Sequence, residues 1–383
     1  MIDRRKFLKG LFGTGIVLAN PDTFFKMIEE LFAGKPGAMS PSGALAGNMP
    51  MIKVLGVGGG GGNAVSAMVK SGIAGVGLIS VNTDRQALDM SRVPIKLQIG
   101  SRITHGLGAG ANADIGRSAA FADADKIRSL LAGSDLVFIT AGMGGGIGTG
   151  AAPVIAGIAR EAKALVIGVV TMPFGFEGMT RRNKAETGLV ELEKNVDALI
   201  VIPNDRLLDL TDKKMTLLDS FQLADSVINR AITGISDVVM LPGYVNIDFA
   251  DINTMMSNSG HAAVGTGAAI GKDSAATAAR QAIASPQLNH GTMKRATGAL
   301  INITGGNDLG INEVSEAVSI IKSELGPKAH ILFGVVIDPS MNNEIKVTVI
   351  ANGLPSFESG RIKEMSHMLI FRDGPKTEAD EIR

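Results

Sequence analysis

The sequence predicts an α/β protein: a parallel, Rossmann-like sheet, a long central helix, and then a smaller α/β unit. Three observations carry this. Short, almost wholly apolar runs alternate with helical stretches, the pattern of strands buried on both faces of a parallel sheet. Two of those runs, Ile52–Val57 and Asp135–Thr140, each lead into a glycine-rich turn. A helical stretch from about Leu217 to Met240 stops before Pro242, which lacks the N–H a helix interior requires. With 383 residues the chain exceeds what one hydrophobic core usually serves, so more than one domain is expected.

The first fifty residues differ from the rest. Arg4-Arg5-Lys6-Phe7-Leu8-Lys9 reads like a twin-arginine export motif, and Ala44-Leu45-Ala46 could act as a small-residue cleavage site. Between them, Pro21–Ala33 sets Asp22, Lys26, Glu29 and Glu30 among Phe24, Phe25, Ile28, Leu31 and Phe32, which is amphipathic helical spacing and not the tail of a signal. The basic-and-apolar mix favours a membrane or partner segment, with export the weaker alternative. Gly34–Pro50, rich in Gly, Pro, Ser and Ala, reads as a linker.

From Ile52 the expected strands are Ile52–Val57, Gly77–Val81, Asp135–Thr140, Ala164–Thr171 and Ala198–Ile202, within a first domain of residues 51–216. The central helix takes 217–242. A second unit, 243–353, is expected to hold strands Ala262–Gly267, Gly298–Thr304, Ile331–Ile337 and Ile345–Ala351, with a helix over Ile311–Glu324. Residues 354–383 form a polar, weakly patterned tail.

Composition excludes several chemistries. Acidic and basic residues balance at 37 each, so no general nucleic-acid binder is expected. The chain has no cysteine, which excludes disulfides, thiolate metal sites and a cysteine nucleophile, and is compatible with a cytoplasmic location. His105, His261, His290, His330 and His367 lie too far apart to show ligand spacing. No run of about 18 or more apolar residues suggests a membrane-spanning helix.

The glycine turns carry the chemistry. Gly58, Gly59, Gly60, Gly61 and Gly62 precede Asn63; Gly144, Gly145, Gly146, Ile147, Gly148, Thr149 and Gly150 form the second run, with five glycines in seven positions. Such runs let backbone amides approach an anion, and each opens a helix whose unpaired N–H groups favour negative charge. Two such sites beyond the strands' carboxyl ends imply a nucleotide with several phosphates. The first run also fits a nicotinamide-dinucleotide fingerprint, with Asp84 as the nearest ribose partner, but that reading does not require a second glycine run. Gly271-Lys272-Asp273 is too short for a Walker loop and lacks its Ser/Thr.

Seven motifs in order, GGGGGN, VNTD, GLGAGAN, GGGxGTG, PFxFEGxxR, IPND and NxDFAD, resemble the FtsZ/tubulin family of polymerising GTPases, nearest its bacterial FtsZ branch, from about Ile52 to about Gly353. The resemblance implies a GTP-binding domain joined by the central helix to an activation domain, with GTP/GDP and Mg2+ as ligands. It places the glycines and Thr149 on the phosphates, Glu177 on the ribose, Arg181 at sugar or phosphate, and Asn204 near sugar and base. Asn63, Phe221 and Asp225 would then choose the base, because a carboxylate accepts both N1–H and the exocyclic amine of guanine whereas adenine offers an acceptor. Phe221 stands four residues before Asp225, on the same helix face. Asn246, Asp248 and Asp251 would act on the nucleotide of the next copy, so that a head-to-tail homo-polymer completes the site.

Two departures weigh on that expectation. Ile147 stands where the family has threonine, removing a hydroxyl that could bond phosphate; a bond to a charged group contributes roughly 1.5–3 kcal/mol. Asp248 and Asp251, three apart at a helix start, could also be simple capping residues. The expected function is a filament-forming GTPase of cell division or related cytoskeletal organisation, and the alternative is a GTP-binding scaffold that hydrolyses little. An anchoring membrane or adaptor protein would act through the N-terminal extension.

Overall fold

Strand β1 (Ile52–Val57) shows why these runs read as uninterrupted apolar segments. Leu55 and Val57 join an apolar cluster on one face of the sheet, and Ile52 and Val54 join a second cluster on the other. The same division holds for β2 (Val76–Asn82), β4 (Leu136–Gly142) and β5 (Leu165–Met172), with β6 (Ala198–Pro203) beyond them. Each fully buried aliphatic side chain contributes roughly 1.5–3 kcal/mol, so a two-faced strand is strongly held. The structure is a computed structural model that describes residues 49–208, 215–240, 243–245, 247–285, 288 and 293–355. The readings for residues 1–48 and for the tail beyond Pro355 lie outside the described residues, as does Asn246.

One short strand, β3 (Ile95–Gln98), is absent from the sequence reading. Its residues are exposed or half-buried at the sheet's edge, so it lacks the apolar density of the others. The first six strands are all parallel and lie in the order β3-β2-β1-β4-β5-β6. That doubly wound order reverses between β1 and β4, and a crevice opens at such a point beyond the strands' carboxyl ends. The helix α1 (Gly58–Ser71) leaves β1 there. After β2 come α2 (Arg85–Met90), α3 (Ser101–Thr104), α4 (Ala113–Ala122) and α5 (Ala124–Leu131). The helix α6 (Ile147–Glu161) leaves β4, and α7 (Met179–Glu193) and α8 (Asn204–Leu208) follow β5 and β6.

The central helix α9 (Leu217–Met240) keeps its expected bounds. Ile228, Ile232 and Ile235 of this helix share one cluster with Ile202 of β6, Val264, Leu300 and Ile350. After α10 (Phe249–Met256) come β7 (Gly260–Ile270), α11 (Ser274–Ile283), β8 (Gly298–Gly305), α12 (Ile311–Glu324), β9 (His330–Ile337) and β10 (Glu344–Leu354). β10 runs antiparallel to β7 and β8, and β8 is parallel to β9. β7 and β10 outrun their expected bounds at both ends, where residues such as Gly260, Glu344 and Asn352 carry no apolar signal although strand pairing continues through them. The second unit does not build a separate sheet: β7 pairs with β6 from Ala198↔Gly260 to Ile200↔Ala262, making one ten-stranded sheet.

Candidate functional site

Both glycine runs lie at the β1/β4 reversal and touch. A Cβ on Gly58, whose φ is +73°, would stand 2.9 Å from the Gly148 nitrogen and 3.3 Å from the Ile147 Cβ. Neither N-cap residue's side chain caps α1 or α6, so the first N–H groups of two adjacent helices lack that usual partner, the arrangement that favours an anion. The glycines divide into two groups. At Gly59 and Gly145 an added Cβ would meet nothing within 4 Å, so these positions border open space. At Gly61, Gly146, Gly148 and Gly150 it would collide with neighbouring chain, and at Gly60 it would fit tightly, 3.2 Å from Gly142; for Gly150 the nearest atom is the Ala113 oxygen, 1.8 Å away. Glycine there lets segments cross closely enough to form the crevice. Gly62 and Asn63 line an adjoining cleft of about 300 Å³ on the same helix.

The second loop braces itself. The Thr149 hydroxyl is buried and accepts a hydrogen bond from the Gly144 N–H at 2.8 Å, so this side chain sets the loop's shape from within. Ile147 is 6 % exposed and packs into the apolar cluster beneath the loop, which accommodates its branched side chain away from solvent. The loop Ala109–Asn112 crosses Gly146, and Lys184 of α7 donates to the Ala111 carbonyl at 2.8 Å. Neither Lys184 nor that crossing is evident in the sequence, since each depends on chain segments meeting from a distance.

The sugar and base candidates gather at the ends of β5 and β6. Arg181 packs on Gly144, its Cγ 2.7 Å from where a Cβ would lie, and pairs with Glu177 at 3.0 Å. Glu177 also accepts from the Phe174 N–H at 2.8 Å. Phe174 is buried, stacks on Phe176 at 5.1 Å, and meets Phe221 edge-on at 5.3 Å. Phe221 itself is 40 % exposed, leaving ring surface for a planar ligand. One helical turn on, burial pushes the Asp225 carboxyl up to about 6. Asn204 is buried and its Oδ1 has no partner among the described residues, an acceptor in want of a donor. Asp84, the ribose candidate of the dinucleotide reading, instead caps α2 by accepting from the Ala87 N–H at 3.1 Å.

Asp248 and Asp251 lie elsewhere. Asp248 caps α10, accepting from the Ala250 N–H at 3.2 Å, so the capping role is real. Asp251, in the first turn, borders a hollow with His330, Gly298 and Asn352, at the starts of β9 and β8 and the end of β10. Leu354 of β10 pairs with His261, whose neighbour Gly260 pairs with Ala198 at the start of β6. The glycine loops follow the carboxyl ends of β1 and β4, so Asp251 belongs to the opposite edge of the sheet. Strands of six or seven residues, at about 3.3 Å each, separate the two edges. Both aspartates are exposed. Of the histidines, His261 is buried and pairs with Glu193 at 3.2 Å, a packing role.

The groups present fit a polyphosphate nucleotide: two helix starts without N-cap side chains and open glycine backbone at Gly59 and Gly145 offer N–H donors to phosphate, while the Asn204 oxygen, unpartnered among the described residues, can accept from a sugar hydroxyl or a base N–H. Among the described residues no group of three or more His, Cys, Asp or Glu side chains could hold a metal. A magnesium ion here would therefore take its ligands mainly from phosphate and water, the usual habit of that ion.

Known proteins share this arrangement. Residues 51–212 match the GTPase domain of the Tubulin/FtsZ family and residues 260–355 match the FtsZ family C-terminal domain. The chain is 37 % identical to FtsZ of M. jannaschii, solved as an empty dimer, with a TM-score of 0.75 over 87 % of this chain and 92 % of that one. CetZ2 of Haloferax volcanii, solved as a GTPγS-bound protofilament, shares the fold at 20 % identity, with a TM-score of 0.71 over 84 % of this chain and 99 % of that one. CetZ1 of the same organism, a GDP-bound monomer, has a TM-score of 0.69 at 20 % identity, over 85 % of this chain and 100 % of that one. With both family domains matched along the chain and the fold shared at 37 % identity, this chain belongs to the Tubulin/FtsZ family of GTPases.

Proposed function

We propose that this protein binds GTP and GDP, polymerises head to tail, and hydrolyses GTP where one copy's aspartate edge meets the next copy's phosphate loops. The observation that carries this reading is the separation of the two half-sites. Asp248 and Asp251 are exposed at the edge of the sheet opposite the glycine loops. A heterologous contact between unlike edges repeats without closing and builds an open filament. Backbone amides of both loops hold the phosphates, Phe221 stacks on the guanine, and Asp225 accepts its paired donors. Glu177 and Arg181 hold the sugar side. Asp251 and Asp248, with Asn246, orient and polarise the attacking water. When bound, Mg2+ would offset charge on the β- and γ-phosphate oxygens.

Mixing tests the shared site. A variant defective in the loop, Gly148→Ala, whose Cβ would stand 2.6 Å from the Gly142 oxygen, is combined with Asp251→Ala. Phosphate release above that of either variant alone is the expected result; co-assembly without any such gain defeats catalysis across the contact. A second reading, a GTP-binding scaffold with little hydrolysis, is favoured by Ile147 and is separated from the first by steady-state phosphate release measured beside light scattering.

We further infer a role in cell division or related cytoskeletal organisation, with residues 1–50 bringing the filament to an anionic membrane or adaptor. Phe7, Leu8, Leu11 and Phe12 beside Arg4, Arg5, Lys6 and Lys9 support it, and polymerisation multiplies weak anchors. Deleting residues 1–50 should leave GTP binding intact and abolish co-sedimentation with anionic liposomes. Full-length filaments that do not sediment with them would remove this role.

A further inference from the structure

We propose that Asp205 is a positioning residue for the nucleotide's sugar, acting through the short turn that presents Glu177. The proposal rests on the guanine-nucleotide reading above. Gly175–Glu177 is a single 3₁₀ turn, too short to keep its own shape. Its internal bonds are local: Glu177 N–H to the Phe174 carbonyl at 3.0 Å, Gly178 N–H to the Gly175 carbonyl at 3.2 Å, and the Phe174 N–H to Glu177 at 2.8 Å. What ties the turn's backbone to another element is Asp205, whose Oδ1 accepts from the Gly175 N–H at 2.8 Å across thirty residues of sequence. The bond is charge-assisted, and therefore stronger than a neutral one.

The placement of Asp205 gives that bond consequences on both sides. Its neighbour Asn204 holds the unpartnered buried oxygen, so the start of α8 addresses the base side and the sugar-side turn in successive residues. Its Oδ2 faces Arg182 of α7 at 3.8 Å, which sets the carboxylate's orientation. Phe174, at the head of the turn, is buried against Phe176 and Phe221, so the aromatic cluster stays anchored and a shift of the turn falls on Glu177. The Asp205 side chain is 46 % exposed, so it is not a core residue whose loss should unfold the chain.

The test compares binding of GTP and 2′,3′-dideoxy-GTP to the full-length protein. Wild type should prefer GTP. Asp205→Ala should lose about fivefold or more in GTP affinity while dideoxy-GTP changes by no more than about twofold, the pattern also expected of Glu177→Gln. Asp205→Asn keeps an acceptor for the Gly175 N–H and should retain most of the preference. Gly175→Pro removes the donor from the other side; Phe174, at φ −63° and ψ 149°, already has the backbone that precedes proline, so the same collapse of preference is expected. Equal losses for both nucleotides, or a wild-type preference in Asp205→Ala, would overturn the positioning role alone. Wild-type protein that binds no guanine nucleotide would overturn the underlying reading and this role with it.

Discussion

At the carboxyl ends of the parallel strands, the candidate nucleotide residues are held by one another: Thr149 by Gly144, Glu177 by Phe174 and Arg181, and Phe221 by Phe174. At the opposite edge, Asp248 and Asp251 stand in solvent at the start of an eight-residue helix, with one side-chain cap between them. The first region is held in shape by its own side chains, while the second leaves its acidic groups exposed. On the function proposed above, the first would be a preformed binding end belonging to one copy and the second a catalytic end completed by contact with the next.

The largest expected effect separates the two ends. Asp251→Ala should lower GTP turnover by about a hundredfold or more, the scale of a lost acid–base group, with nucleotide affinity unchanged. Asp248→Asn should do likewise while retaining an acceptor for the α10 cap, so its thermal stability should hold better than that of Asp248→Ala. Phosphate release and nucleotide titration together check both. Affinity lost alongside turnover would mean that the aspartates belong to the binding end, and the comparison would fail.

Asp225 sharpens the binding end. Its carboxyl, raised to about 6 by burial, favours the ligand-free fold when protonated; that advantage is complete below the ordinary value near 3.8 and is lost as pH rises through about 6. Above that pH the ionised, partly desolvated group awaits the guanine donors. GTP affinity should therefore plateau above about pH 6 and fall about tenfold per unit below it, with proton release on binding. Asp225→Ala should lose that pH dependence and reduce the preference for GTP over ATP by about tenfold or more in a competition assay. Equal wild-type affinity for the two nucleotides would remove the guanine assignment.

Smaller effects belong to the loop itself. Gly150→Ala should cost about 1–3 kcal/mol of stability, because its Cβ has no room against the Ala113 carbonyl, and Gly145→Ala, facing open space, should cost much less. Ile147→Thr exchanges buried apolar surface for a hydroxyl. It should raise GTP affinity or turnover several-fold and lower the melting temperature slightly, since burying a hydroxyl without a partner costs about 1–3 kcal/mol. Unchanged affinity and turnover would show that the backbone amides suffice.

Much of the fold is legible from local pattern. Ile311–Glu324 and Leu217–Met240 coincide with their helices because amphipathic spacing and helix-stop residues lie within the segments themselves. β3 escaped because Ile95 is exposed and Leu97 only half-buried at an edge, in a four-residue run with too weak an apolar signal. Asp205 escaped as a site residue because its partner, the Gly175 N–H, is a backbone group that no side-chain motif marks.

The order of apolar runs and glycine turns, by itself, determined a parallel sheet with glycine loops at the carboxyl ends of its strands, since strand burial and turn position follow from residue type and spacing. Only the tertiary structure decided that both α/β units share one sheet, that Asn204 keeps an acceptor without a partner among the described residues, and that the aspartates sit on the far edge from the loops. Those facts depend on which segments meet after the chain has crossed itself, and sequence spacing carries no record of contacts between residues a hundred positions apart.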